Sequence, residues 1–358
     1  MTAIPAELGY HMPAEWEPHE ATWIAWPHHR ADWPGKFAAI PWVYVEIVRH
    51  LHQCERARIL VNDLSAQRQA IGKLRRGGVD LSRVDFYHCP TDRVWTRDSG
   101  PIFVVRDYHG QRQVALTHWR FNAWSKYDNW QRDQQVPEFV GQVLGLPRFL
   151  ALTADQQRHI VLEGGSIDVN GAGLLLTTEE CLLSDIQPRN PGLTREELER
   201  AFADYLGVRK VLWLGQGIAG DDTHGHVDDL ARFVGPGTVV TMVEENAQDV
   251  NYRPLRENLD RLRGMTDLDG RPLEVVPLPM PQPVYFAGQR LPASYANFYI
   301  ATDRVLVPTF NDPHDRHALG ILAELFPDRQ VIGIHAVDLV WGLGTLHCLT
   351  QQQPAREI

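Results

Sequence analysis

Apolar positions along this chain switch repeatedly between helical and strand spacing, and the switches recur in a fixed order. The first helical stretch covers residues 38–53, with Val43, Ile47, Val48 and Leu51 on one face, and leads into Arg58-Ile59-Leu60-Val61. A second spans 131–144, and its strand falls near Phe149-Leu150 or at Ile160-Val161-Leu162. A third starts at Thr194, where Glu197 completes a capping box, and precedes Val211-Leu212-Trp213-Leu214. The fourth, 246–262, precedes Leu273-Glu274-Val275-Val276, and the fifth, 315–326, precedes Gln330-Val331-Ile332-Gly333-Ile334.

Between these helices lie paired β-rich runs around short turns. They join 102–105 to 114–116 through His109-Gly110, and 167–169 to 174–176 through Asn170-Gly171. Two more join 231–234 to 239–240 through Gly235-Pro236-Gly237, and 298–300 to 305–307 through Thr302-Asp303. A fifth pair is assembled from 21–26 and the C-terminal 346–348, joining the ends of the chain. The predicted unit is strand, strand, helix, strand, repeated five times in one α/β domain over 1–358. Asp98, Glu163, His226 with Asp228, Asn297 and Cys348 each fall just before or at the start of a hairpin. In a ring of such modules, equivalent positions converge on the axis.

Composition narrows the function classes. A net charge of −10 argues against nucleic-acid binding and is compatible with a cationic substrate. No stretch approaches the length of an apolar membrane span, and the start lacks the pattern of a signal peptide. The cysteines Cys54, Cys89, Cys181 and Cys348 are scattered, without CxxC pairs, so a reducing cytoplasm is the expectation.

Cys348 sits after Gly342-Leu343-Gly344-Thr345, and the polar Gln351-Gln352-Gln353 that follows argues against a purely structural buried thiol. As a nucleophile it needs help, because a free thiol titrates near ~8.5; a bound cation or a protonated His226 would stabilise the thiolate. Asp98 and Asp228 suit turns, but paired carboxylates also match the fork of a guanidinium. Glu163, between Leu162 and two glycines, is a third candidate. His226 suits general acid–base work, and His224 a structural or tuning role. The run His224-Gly225-His226-Val227-Asp228 also allows a zinc reading, which leaves Cys348 and Asp98 unexplained. Most tryptophans belong to the core, while Trp95, three residues before Asp98, offers a π face to an alkyl-guanidinium. A thiol, a histidine and carboxylates are the equipment for attacking a guanidinium carbon.

Seven segments resemble agmatine deiminases. They include Met12-Pro13-Ala14-Glu15-Trp16, Arg97-Asp98-Ser99-Gly100-Pro101, Glu163-Gly164-Gly165-Ser166 and Thr178-Glu179-Glu180-Cys181. The others are Gly225-His226-Val227-Asp228, Ala293-Ser294-Tyr295-Ala296-Asn297 and His347-Cys348-Leu349-Thr350-Gln351. That family shares with bacterial-type peptidylarginine deiminases the guanidine-modifying, or pentein, superfamily, whose fold is a five-bladed α/β propeller. The resemblance implies a cofactor-free, metal-free hydrolase of putrescine synthesis, cytoplasmic and homo-oligomeric, that converts agmatine to N-carbamoylputrescine and ammonia. It implies that Cys348 carries the amidino group, that His226 is the acid and base, and that Asp98 and Asp228 grip the guanidinium. Glu163, Trp95 and Asn297 are expected to line the same site, and Asp222 to meet the far amine. Family members usually carry glutamate at the Asp222 position and asparagine at that of His224, so chain-length preference is where this sequence departs. The alternatives are a deiminase of arginine or peptidyl-arginine, an amidinotransferase, a zinc hydrolase, and a non-catalytic binding protein.

Overall fold

The computed structural model describes residues 4–356. Its fold is mixed α/β, and five of its sheets follow one plan: an antiparallel pair of strands, then a parallel strand reached through a helix. A parallel return cannot be made by a tight turn, which is why a helix stands at that point of each unit. Ile102–Tyr108 pairs with Gln111–His118, and Arg148–Leu150 returns through helix Val136–Leu144. Asp168–Val169, Leu174–Thr178 and Lys210–Leu214 follow with helix Arg195–Leu206. Ala231–Phe233, Thr238–Val243 and Glu274–Pro279 use helix Tyr252–Arg263. Tyr299–Ile300, Arg304–Thr309 and Gln330–His335 use helix Pro313–Leu325. The last sheet joins both ends of the chain, with Gln351–Pro354 antiparallel to His19–Ala25, and Arg56–Val61 returning through helix Ile40–Leu51.

Local chemistry accounts for several boundaries. His109 and Gly110 both take left-handed φ, 52° and 76°, as a two-residue hairpin of matching twist requires. The capping box at Thr194 is present, its hydroxyl accepting from Glu197 N at 3.2 Å and Glu197 reaching back to Thr194 N at 2.8 Å. The fourth helix starts at Tyr252 rather than near 246. Asn246 and Asp249 turn their side chains onto nearby backbone amides, of Gln248 at 3.1 Å and Asn251 at 2.8 Å, and so favour turns over helix. The uncertain second strand is Arg148–Leu150, while Val161 makes only an isolated bridge to Arg120. Helix Leu64–Arg76 and the edge strand Val84–His88 extend the last sheet and were not foreseen.

The C-terminal expectation needs correction. Residues 346–348 are not a strand; Leu346–Leu349 is one helical turn, and the closing strand is Gln351–Pro354. The three glutamines are buried, not a solvated tail, and two of them find side-chain partners inside. Gln352 Oε1 accepts from Arg97 at 2.7 Å and Gln353 Oε1 accepts from Trp23 Nε1 at 3.0 Å.

Candidate active site

Four of the five antiparallel pairs are entered through a single helical turn, and these turns carry most of the predicted chemistry. Thr96–Ser99 holds Asp98, Gly164–Ser166 follows Glu163, Val227–Asp229 follows His226 and includes Asp228, and Leu346–Leu349 holds Cys348. The remaining pair is preceded by a turn at Tyr295 and Ala296, followed directly by Asn297. Equivalent positions of repeated units therefore meet, although up to 250 residues separate them in sequence.

Cys348 Sγ lies 3.6 Å from Asp228 Oδ2 and accepts a hydrogen bond from Asn297 Nδ2 at 3.2 Å. Asn297 is itself fixed, its Oδ1 accepting from the Thr345 hydroxyl at 2.7 Å and from His347 N at 3.1 Å. Asp98 accepts from Gly165 N at 3.0 Å and from Trp124 Nε1 at 2.9 Å. His226 Nε2 faces Glu163 Oε2 at 3.4 Å, and its Nδ1 faces Asp98 at 3.8 Å and Asp228 Oδ1 at 4.0 Å. Glu163 is anchored on its other side by Arg189 Nε at 3.0 Å. The Oδ1 of Asp228 and both ring nitrogens of His226 lack hydrogen-bond partners, though all are buried. Buried polar atoms left unpaired in this way mark where a ligand can bind, the Asp228 oxygen as an acceptor of its donors.

The closeness of these groups depends on glycine. A Cβ on Gly165 would stand 2.6 Å from His226 Nδ1, 2.8 Å from Asp98 Oδ1 and 3.1 Å from Asp228 Oδ2. One on Gly344 would stand 2.8 Å from the Trp95 ring and 3.2 Å from Cys348 Sγ.

A cavity of about 350 Å³ opens beside Cys348, with Asp98, Trp95, Trp124, Tyr127 and Asp222 in its lining. One wall runs by successive contacts from Asp98 to Trp124, from Trp124 to Tyr127 at 6.1 Å between ring centroids, and from the Tyr127 hydroxyl to Asp222 Oδ2 at 2.6 Å. Trp95 is stacked between Gly344 and Trp33, whose ring centroid is 5.7 Å away. Asp222 shares this cavity but is already engaged, with Lys126 as well as Tyr127. His224 turns toward Ser184, its Nε2 3.1 Å from the hydroxyl, and shares no cavity wall with Cys348.

Electrostatics set the empty site against the thiolate. Burial pushes the Cys348 thiol well above its ordinary range, and the carboxylates of Asp228, Asp229 and Asp98 push it further. Burial likewise raises Asp98 to about 6, helped by Asp228 and Glu163 and opposed by His226. Burial alone would lower His226, but Asp98 and its other neighbours outweigh it and hold the ring well above its usual pKa. Burial opposes ionisation of Glu163, yet Arg189 and His226 prevail and leave its pKa lowered. A guanidinium placed among these carboxylates reverses the sign of the field at Cys348.

Several participants were given no role from the sequence. His347 lies between two carboxylates, Nδ1 2.7 Å from Asp228 Oδ2 and Nε2 2.8 Å from Glu15 Oε2. Glu15 in turn meets Arg232 at 2.9 Å. Trp124 and Arg189 were also not foreseen; nothing local to Asn122-Ala123-Trp124 or Pro188-Arg189 marks either residue. Among the described residues, the group able to converge on a metal is Glu163, Cys181 and His226, with ligand atoms within 4.8 Å of one another. It differs from the His224–His226–Asp228 set considered for zinc, and Arg189 on Glu163 would confront a dication with a fixed positive charge. The donor set therefore does not favour the zinc reading.

Fold and site together define a mixed α/β protein with a thiol set among carboxylates at a buried junction of repeated units. The chain belongs to the Porphyromonas-type peptidyl-arginine deiminase family, which it matches over residues 11–354. Its relatives within that family include an agmatine deiminase of Ectopseudomonas mendocina, 34% identical over 99% of this chain and 98% of that protein. The solved agmatine deiminase of Enterococcus faecalis superposes with a TM-score of 0.89 at 34% identity, covering 99% of this chain and 98% of that one. A cysteine-to-serine variant of the C. jejuni agmatine deiminase with substrate bound gives 0.85 at 27%, covering 98% and 97%. An amidinotransferase of Microseira wollei shares the fold alone, at a TM-score of 0.50 and 13% identity.

Proposed function

We propose that this protein is a hydrolase of linear amidine C–N bonds that converts agmatine and water to N-carbamoylputrescine and ammonia through Cys348. The observation that carries the reading is the placement of Cys348 Sγ 3.6 Å from Asp228, in a cavity that also receives Asp98 and ends at an acidic group, Asp222. Full-length likeness to agmatine deiminases supports the substrate.

Asp98 and the unpartnered Oδ1 of Asp228 accept the guanidinium N–H groups, and the bound cation offsets the field that disfavours the thiolate. As the cation binds, the Cys348 thiol releases its proton to solvent, and the thiolate adds to the guanidinium carbon while the C=N π pair moves to nitrogen. Protonated His226 gives its proton to one amino group, the C–N bond breaks, and ammonia leaves an S-alkylthiouronium on Cys348. The neutral His226 takes a proton from water as its oxygen adds to the same carbon. Collapse breaks the C–S bond and the added hydroxyl gives its remaining proton to solvent, returning the thiolate and releasing the neutral ureido product. Asn297 Nδ2 holds the sulfur, Glu163 holds His226, and Trp95 lines the cavity that Cys348 also faces.

The pairing of both chain ends in one sheet supports a single catalytic domain, closed as a propeller of five blades. No helix among the described residues is long and apolar enough to cross a membrane. A cytoplasmic homo-oligomer remains part of the proposal on family resemblance alone.

The test is ureido-product formation with EDTA present, comparing agmatine, arginine and a blocked arginyl peptide before and after iodoacetamide. Turnover of agmatine alone, abolished by alkylation, supports the reading. Loss in EDTA without alkylation would replace the thiol by a metal, and turnover of arginine or the peptide would overturn the substrate.

A further inference from the structure

The far end of the cavity contains a feature the deimination chemistry does not require. Asp222, the acid expected to meet the substrate's terminal amine, has both oxygens engaged without any ligand. One oxygen pairs with the Lys126 ammonium and the other accepts from the Tyr127 hydroxyl at 2.6 Å. Lys126 is the more exposed partner, at 40% against 16% for Asp222, so it has water to retreat into.

The segment carrying Lys126 is held in an unusual backbone. Ala123, Trp124 and Ser125 all take left-handed φ, at 49°, 57° and 55°, in a run without glycine. Such conformations persist only where surroundings over-determine them, and they gather where a clamp or switch is built. Here the surroundings are explicit. Asn122 Oδ1 accepts from Ser125 N at 3.0 Å, Ser125 Oγ donates to Pro188 O at 2.7 Å, and Gln187 Nε2 bridges the carbonyls of Trp124 and Asp222 at 3.1 Å each. One short strained loop thus touches both ends of the cavity, through Trp124 on Asp98 and through Lys126 and Tyr127 on Asp222.

We propose that Lys126 is a tethered ammonium that occupies Asp222 in the empty enzyme and is displaced by the terminal ammonium of the substrate. The proposal rests on the agmatine reading and adds to it a specificity device. A guanidine with a distal amine exchanges one cation for another at Asp222. A guanidine with an apolar end leaves the pair in place and gains nothing there. A guanidine with a distal carboxylate meets Lys126, with Arg93 close behind it over the Tyr127 ring at 4.1 Å. Lys126 therefore weakens the binding of its own look-alike while sparing the carboxylate a wholly acidic wall.

The test is Lys126→Met, with steady-state kinetics on agmatine, butylguanidine and 4-guanidinobutanoate. The exchange predicts that KM for agmatine falls about two- to fivefold, the scale of a partly exposed ion pair, and that the ratio of the butylguanidine KM to the agmatine KM rises with it. It also predicts that binding of 4-guanidinobutanoate weakens. An agmatine KM that is unchanged or higher in the variant overturns the proposal, as does an equal change for butylguanidine. If the wild-type protein turns over no agmatine, the function reading fails by itself. The exchange is then read by calorimetry of agmatine on Cys348→Ser with and without Lys126→Met, where tighter binding in the double variant supports it and equal or weaker binding overturns it.

Discussion

Substituting Gly165 by alanine adds one methyl group at the meeting point of the site. The added Cβ would stand 2.6 Å from His226 Nδ1, about 0.8 Å inside the 3.4 Å where ordinary contact begins, and 2.8 Å from Asp98 Oδ1. Gly165 is not among the glycines with positive φ, so alanine is compatible with the backbone and the effect is steric alone. Neither neighbour is the free end of a flexible chain: Asp98 is tied to Trp124 at 2.9 Å and His226 is buried against Glu163. Relief requires His226 and Asp98 to move apart by the better part of an ångström. Overpacking of this kind costs about 1–3 kcal/mol of stability, whereas misplacing reacting groups by ~1 Å costs on the order of 10²-fold in rate. Gly165→Ala should therefore melt only a few degrees below wild type yet lose about two decades of kcat on agmatine. Stopped assays of ureido product alongside thermal melting by circular dichroism measure both quantities. A folded variant retaining more than about half the wild-type kcat would refute the convergence of Asp98, His226 and Asp228 on one reacting centre.

Other outcomes follow from the same geometry. Asp98 is raised to about 6 and must be ionised to grip the cation, so kcat/KM for agmatine should fall about tenfold per pH unit below that value; a flat profile down to about pH 5 contradicts this. The same raised pKa means that the folded state holds the Asp98 proton more tightly than the unfolded chain, so this group's contribution to stability declines as pH rises from about 4 to about 6. Trp124→Phe removes the N–H donor on Asp98 and should raise KM about 10- to 100-fold, as for a buried bond to a charged group, read by initial-rate kinetics. In the free enzyme the elevated Cys348 pKa predicts slow alkylation by iodoacetamide at neutral pH, rising about tenfold per unit through pH ~9; stopped-time inactivation assays follow it. His347→Leu leaves Glu15 and Asp228 without their shared partner and should destabilise the fold by about 3–5 kcal/mol in urea titrations.

The repeating unit was legible because each module carries its own signals: a capped amphipathic helix, a turn with glycine or asparagine, and two apolar runs. Thr194 and Glu197 form their box where the sequence places it, and His109-Gly110 turns the first hairpin. Repetition then made the site legible, since Asp98, Glu163, His226, Asp228, Asn297 and Cys348 occupy equivalent places and are brought together. The C-terminal strand, expected at 346–348, begins five residues later at Gln351, because a run of glutamines is polar in sequence. Gln352 and Gln353 are received inside by Arg97 and Trp23, partners supplied by distant segments that no local pattern encodes. Asp222 was found as an acid, but its pairing with Lys126 was not, since the two lie 96 residues apart and Lys126 follows a left-handed run at 123–125 that no local pattern marks. His347 was hidden for a similar reason: Asp228 and Glu15 give it its place, and they lie 119 and 332 residues away.

The central claim is that Cys348 bonds to the guanidinium carbon of agmatine. Rapid acid quench during turnover, followed by peptide mass spectrometry, tests it most directly. The account predicts that the peptide containing Cys348 gains the mass of agmatine less ammonia while substrate lasts, that the adduct vanishes when substrate is exhausted, and that Cys348→Ser shows neither adduct nor ureido product. Turnover by Cys348→Ser at the wild-type rate, with Cys348 unmodified throughout the wild-type reaction, would contradict it.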